Sequence, residues 1–361
     1  VVQTMRERAQ LQENPLARGL DRFYARLHDL DNSFGFPRPV KIPTVRTQRI
    51  LAIILLICQT GITFTGSLVR VTGSGLGCNT WPECHPGSLF PTAGAAPWIH
   101  QAIEFGNRML TFVLIIAALV AFIAVLRAAR RLSILNMAFV QGLGIIAQAV
   151  IGGISVRMDL TWWVVALHFL PSMLLVFFAA VLVVRIGEPD DGERVALMPG
   201  PLTALAHGSA VALALVLITG TLVTGAGPHA GDEAILPEHR FQFPLIEIAH
   251  IHAHGMYLYL GITVGLLAGL FALQVGRNLK VTAVWLVGAI VLQGAIGIVQ
   301  YWLGVPTWTV PVHVLGSGLT TLVTGLLWAQ RSRLLGGDAA HTGSPFADAK
   351  LLNRVDYHAN S

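Results

Sequence analysis

The chain has 361 residues, 54% of them hydrophobic and only 12% charged. That balance excludes an ordinary soluble domain, in which about a quarter of residues carry charge. The formal net charge of +5 is modest and unevenly placed, which points to membrane topology and not to a nucleic-acid partner.

Residues 1–48 form a polar, basic leader. Within it, Leu20, Phe23, Leu27 and Leu30 recur at helical spacing. This predicts a short helix over Pro15–His28 lying on anionic lipid, with a disordered leader as the alternative. The following FPRPVKIP breaks regular structure. A secretory signal places its apolar run near the very start, so the first run here is expected to be a retained span.

Eight apolar stretches follow, each long enough to cross a ~30 Å hydrocarbon core with about 20 residues. They begin near Ile50, Ile99, Leu132, Trp162, Leu202, Leu245, Val281 and Val310. The loop after the first is long and glycine-rich, and holds Cys78 and Cys84. The RMDLT link between the third and fourth spans predicts an antiparallel hairpin. Trp81, Trp98, Trp162, Trp163, Trp302 and Trp308 fall near one end of the spans. They fit an interfacial belt or the edge of an aromatic ligand pocket. The tail is polar and expected to be mobile.

The spans repeat. His168 precedes His313 by 145 residues, as Asn107 precedes His252; Ile151, Gly152 and Trp163 match Ile296, Gly297 and Trp308 at the same offset. GSLVRVTGSGLG (66–77) matches GTLVTGAGPHAG (220–231) at an offset of 154, because the first loop is longer. We read an all-α integral membrane protein whose eight transmembrane helices form two parallel, pseudo-symmetric four-helix bundles. The boundaries are a leader (1–48), a first unit (49–184), a linker (185–201), a second unit (202–329) and a tail (330–361). On this topology 20 of the 24 Lys and Arg lie on the side of the termini, against Arg70, Arg157 and Arg240 on the other, with Arg108 inside a helix. The positive-inside rule then makes both termini cytoplasmic. Cys78 and Cys84 fall on the opposite, oxidising face, where a disulfide persists. A metal site is the alternative, but no further cysteine supports it. Cys58, inside the first span, reads as apolar filler.

Ionisable residues inside spans are costly and are functional candidates. His252 and His313 occupy facing slots of the second unit, near the outer third of their helices. Two such imidazoles can ligate one haem iron from both sides, or be bundle histidines bonded to backbone or water. His250 and His254 point elsewhere. In the first unit His168 faces Asn107, and an amide is a poor iron ligand. His100, Glu104 and Asn107 share a helix face. Glu104 is placed to relay protons or simply to pair with Arg108. Arg70 and the glycine loop after it offer positive charge and backbone N–H groups to a haem propionate. The TGSGLG string follows a membrane helix, without the strand context of a nucleotide fingerprint. Arg157 and Asp159 are expected to pair at the surface.

These residues resemble the heme A synthase family, in its actinobacterial and Gram-positive form. The resemblance rests on GSLVRVTGSGLGCNTWPEC, IEFGNR, DLTWWVVALHF, TGTLVTGAGPHAG, IHAH and PVHVLGS, and covers roughly Gln48–Trp328. It implies a heme b in the second unit held by His252 and His313, and substrate heme O in the first unit held by His168. It further implies oxidation of a porphyrin methyl to a formyl group by successive hydroxylations, with Glu104 essential and Cys78–Cys84 a redox or stabilising pair. Partners would be heme O, heme A, lipid, an unidentified electron donor and, transiently, heme O synthase or terminal oxidase assembly proteins in the plasma membrane. The family commonly carries histidine where this chain has Asn107. Either His168 holds the substrate alone, with His100, Asn107 and Arg108 around it, or His100 reaches the iron. A cytochrome b-like electron carrier, and a non-catalytic haem-binding assembly factor or transporter, are the competing readings.

Overall fold

The computed structural model describes residues 14–33 and 42–336. Most of the expected break at 36–43, and the tail beyond 336, lie outside the described residues. The elements are α1 (Pro15–Ser33), α2 (Val45–Val71), α3 (Trp98–Arg127), α4 (Leu132–Arg157), α5 (Trp162–Ile186), β1 (Glu193–Ala196), α6 (Gly200–Ala226), α7 (Leu245–Ala272), α8 (Arg277–Trp302), α9 (Thr309–Gln330) and β2 (Ser332–Leu335). Among the described residues, helices α2 to α9 are the eight that are long and apolar enough to cross a membrane. Their 22 to 30 residues reach about 33 to 45 Å at 1.5 Å per residue, beyond the apolar core alone. The first span accordingly starts at Val45, a turn before the apolar run. There Thr44 Oγ1 accepts the Thr47 N–H at 3.2 Å and satisfies one of the orphan donors of the helix start.

In the first unit α2 packs on α3 and α5, α3 on α4, and α4 on α5. In the second, α6 packs on α7, α7 on α8 and α8 on α9, while α9 also meets α6. The seam between units is made by α2, α5, α6 and α9. It is tight because small residues line it: a Cβ on Gly325 of α9 would fall 2.8 Å from the Phe177 carbonyl oxygen of α5. The outward faces carry exposed large apolar side chains such as Ile57, Phe112, Leu143, Leu174, Trp285 and Leu292. Such an apolar surface suits lipid and would be a liability in water.

Helix α1 forms where the spacing predicts it and continues to Ser33. It rests on protein as well: Tyr24 is buried among Phe122 and Phe139, with ring centroids 6.2 and 6.1 Å away. Burial pushes the Tyr24 hydroxyl up to about 12. The aromatic belt is mixed. Trp98, Trp302 and Trp308 are exposed. Trp81, by contrast, packs onto Gly153, and Trp162 onto Gly225 and Phe241. Arg157 does not pair with Asp159; its Nη2 donates to the Trp81 carbonyl at 2.6 Å.

On the side of the termini, the linker and the start of the tail form a two-stranded antiparallel ladder, Glu193↔Leu335 to Ala196↔Ser332. The stretch after Gln330, expected to be mobile, is therefore paired as far as Leu335. Glu188 is the hub beneath it. Its carboxylate accepts from Arg131 Nη2 at 2.7 Å, Arg185 Nη1 at 2.5 Å and Arg194 Nη2 at 3.2 Å. Arg185 Nη1 also donates to the Ser332 carbonyl at 2.8 Å. Burial alone would raise the Glu188 carboxyl. The Arg131 hydrogen bond and the Arg185 and Arg194 charges outweigh it and hold the group below the usual carboxylate range.

A carboxylate with a lowered folded pKa contributes stability above its unfolded pKa, and that contribution is lost as pH falls through the folded value. Glu188→Gln should destabilise the detergent-solubilised protein by about 3 kcal/mol at neutral pH. The gap between wild type and variant should narrow below roughly pH 4. Thermal unfolding across pH measures both; a gap independent of pH would remove Glu188 from this role.

Candidate functional site

Three of the candidate ligands are seated in the same way. His168 on α5 lies against Gly152 on α4, His313 on α9 against Gly297 on α8, and His252 on α7 against Gly220 on α6. A Cβ at each of these glycines would stand 3.1, 3.1 and 3.2 Å from the imidazole Cε1. Any larger residue there would push the ring, so the glycine fixes where it can lie.

His252 and His313 come together, with ring centroids 6.4 Å apart and planes 66° apart. A metal between two imidazole nitrogens, with bonds of about 2 Å and roughly 1.2 Å from each nitrogen to its ring centre, requires a little over 6 Å. The pair has that span. His252 Nδ1 faces the Val216 carbonyl and Thr219 Oγ1, both at 3.1 Å, which leaves Nε2 as its open nitrogen. His313 Nδ1 is buried without a hydrogen-bond partner, so Gly297 and the surrounding packing orient that ring.

The first unit keeps the frame and changes the filling. Thr65, at the repeat position of Thr219, sets its Oγ1 2.7 Å from Asn107 Oδ1. Gly66, at the repeat position of Gly220, has nothing within 4 Å of where its Cβ would be. The space an imidazole takes in the second unit is thus open beside the shorter amide. His168 Nδ1, like that of His313, is buried and unpartnered.

Glu104 is held from two directions. The Cys78 N–H donates to its Oε2 at 2.6 Å, and Arg108 Nη2 donates to its Oε1 at 2.6 Å. Arg108 also donates to the carbonyls of Cys78, Thr80 and Glu83. Cys78 and Cys84 form a disulfide. The disulfide ring, Arg108 and Glu104 are therefore one network, and the expected Glu104–Arg108 pairing is present. His100 turns away from Asn107, its Nδ1 lying 2.8 Å from the Gly73 carbonyl oxygen. The loop crosses it so closely that a Cβ on Gly77 would fall 2.4 Å from the His100 carbonyl oxygen; only glycine fits. His250, His254 and His207 are exposed, outside this constellation.

Arg70 stands where the units meet. Its Nη2 donates to the Thr224 carbonyl at 3.0 Å, while its Nε is buried with no partner. Nearby, the Gly75 N–H donates to the Gly231 carbonyl at 2.8 Å. Within the second unit's loop Arg240 donates to the Gly227 carbonyl, and burial lowers its pKa.

Reasoning from sequence missed His85, buried between Asn79 Oδ1 at 3.0 Å and Gln101 Oε1 at 2.9 Å. It also missed the seating role of the glycines, although Gly152 and Gly297 already stood out as a repeat match. Thr219 was missed too.

The family model that matches this chain is COX15-CtaA, described as cytochrome oxidase assembly protein, and it spans residues 49–324, the whole set of spans that carries these side chains. The chain belongs to that family. Within COX15-CtaA, it is similar to proteins named Heme A synthase. That of Exiguobacterium sibiricum is 34% identical over 170 residues, covering 45% of this chain and 54% of that protein. That of Listeria monocytogenes is 30% identical over 179 residues, 48% and 58% respectively. The chain spans about half the length of the curated relatives it matches.

Replacing Cys78 and Cys84 together by serine removes a small ring, which should lower stability by about 2 kcal/mol. The unfolding midpoint of the purified double variant tests this. A midpoint equal to wild type would mean the loop is held by its hydrogen bonds to Glu104, Arg108, Arg157 and His85 without the disulfide.

Proposed function

We propose that the protein acts as a heme A synthase, oxidising a methyl group of heme O to a formyl group. The observation that carries this reading is the His252–His313 pair, spaced for one iron within a family of cytochrome oxidase assembly proteins. His252 and His313 would hold a resident heme b. His168 would hold substrate heme O with Asn107 opposite, where an amide ligates iron poorly and leaves that face open. The iron porphyrins, when bound, supply the electron-transfer and oxygen chemistry.

The chain's own residues do the rest. Glu104 holds or moves a proton at Oε1 or Oε2 beside the first-unit site. Arg108 and the Cys78 N–H both donate to that carboxylate and keep it oriented. Arg70, with an unused Nε, is the group for a propionate carboxylate. The apolar outer helix faces and lipid receive the farnesyl tail at no polar cost. His100, bonded to the Gly73 carbonyl, supports the loop and leaves His168 as the single first-unit ligand.

The multi-pass protein would lie in the plasma membrane with both termini cytoplasmic, a reading supported by the charge asymmetry of its loops. Heme O synthase and terminal oxidase assembly proteins are the transient partners that supply and remove its haems. A diheme electron carrier would need a second full histidine pair, and Asn107 stands where that histidine would be.

Pigments extracted from cells producing this protein with a heme O synthase should include heme A. His252→Ala or His313→Ala should remove the second-unit haem from the purified protein. Glu104→Ala should abolish heme A, a loss of at least about a hundredfold, with the second-unit haem retained. A colourless wild-type protein would overturn the reading, and a normal heme A yield in Glu104→Ala would remove Glu104 from catalysis.

A further inference from the structure

Gln148 on α4 and Gln293 on α8 are repeat mates, 145 residues apart, each four residues before the glycine that seats a histidine. In the second unit the amide nitrogen is used, while Gln293 Oε1 is buried without a partner. Gln293 Nε2 donates to the His313 carbonyl at 2.8 Å and to Ser317 Oγ at 3.0 Å. It reaches them because residue 316 is glycine: a Cβ there would fall 1.9 Å from Gln293 Oε1.

In the first unit the matching residue is Pro171. A pyrrolidine ring stands where the second unit has a notch. Ser172 still donates to the His168 carbonyl at 2.9 Å, as Ser317 does to that of His313. Gln148, however, has no partner at either Oε1 or Nε2, although only 9% of the residue is exposed. Burying a whole unpaired amide is unfavourable and is rarely kept without a use. The same side chain on the same scaffold is anchored through its nitrogen in one unit and has no partner at either end in the other.

We propose that Gln148 is a specificity-determining residue of the first unit, hydrogen-bonding an alcohol oxygen at the edge of the macrocycle that His168 holds. This rests on the reading of the first unit as the heme O site. Heme O carries a hydroxyalkyl chain where protohaem carries a vinyl group. That hydroxyl is the polar atom that tells the two apart, and an amide can both donate to it and accept from it. A site built to bond a hydroxyl discriminates against the analogue lacking it, because its own buried polar group is then left unpaired.

The test titrates the purified full chain, carrying its second-unit haem, with heme O and separately with protohaem, following the absorbance change. His168→Ala identifies the part of the signal due to the first unit. Wild type should bind heme O about tenfold or more tightly than protohaem. Gln148→Met, close in volume, should lose about tenfold for heme O and stay within about twofold for protohaem. Pro171→Gly should show the same loss with the amide intact, because it reopens the seat on the His168 carbonyl. Wild-type preference in either variant overturns the inference, as does equal binding of both haems by wild type. A signal that depends on His168 but not on Gln148 leaves the substrate-site reading standing and sinks this inference alone. No His168-dependent signal at all sinks both.

Discussion

Two imidazoles 6.4 Å apart, one from α7 and one from α9, are the contact on which the rest of the arrangement turns. Their spacing depends on three things. Gly220 and Gly297 let the rings lie close to the neighbouring helices. Thr219 and the Val216 carbonyl turn His252 so that its other nitrogen faces inward. The α6–α9 ring of helices keeps the two backbones at the required separation. A bulky residue at either glycine would change the distance between the rings without touching the histidines.

The two units fill one repeated scaffold with different side chains. Threonine stands behind the ligand slot in both, at Thr65 and Thr219, and a glycine lies beside it, at Gly66 and Gly220. The contents differ: Asn107 in one slot, His252 in the other. The loops differ in the same sense. The first carries the disulfide ring that, with Arg108, grips Glu104; the second has no cysteine. One unit is closed around a pair of facing imidazoles. The other has an open slot, a held carboxylate and an unpaired buried amide, the asymmetry that the proposed reaction site beside an electron-holding site would need.

What was legible in the sequence followed from local rules. Span positions are set by the length of apolar runs against the thickness of a bilayer, and they were placed within a few residues. The helix ends were less legible because polar first turns such as Val45–Arg49 add helix beyond the apolar run. Repeat offsets singled out His168, His252 and His313. The rest depends on contacts distant in sequence. The β1–β2 ladder joins residues about 140 apart, and the Glu188 hub draws its arginines from three separate segments. His85 lay unremarked in a loop whose cysteines drew attention first. Gln148 and Gln293 look alike in sequence, and their difference lies in whether the facing residue is Pro171 or Gly316.

The central claim is that the α7 and α9 imidazoles bind a single iron between them. Electron paramagnetic resonance of the oxidised, purified full chain tests it most directly. The account predicts one low-spin ferric signal per chain from a six-coordinate iron with two axial imidazoles, converted to high spin or lost when either ring is removed. A chain showing only high-spin iron, or no iron signal, would contradict it.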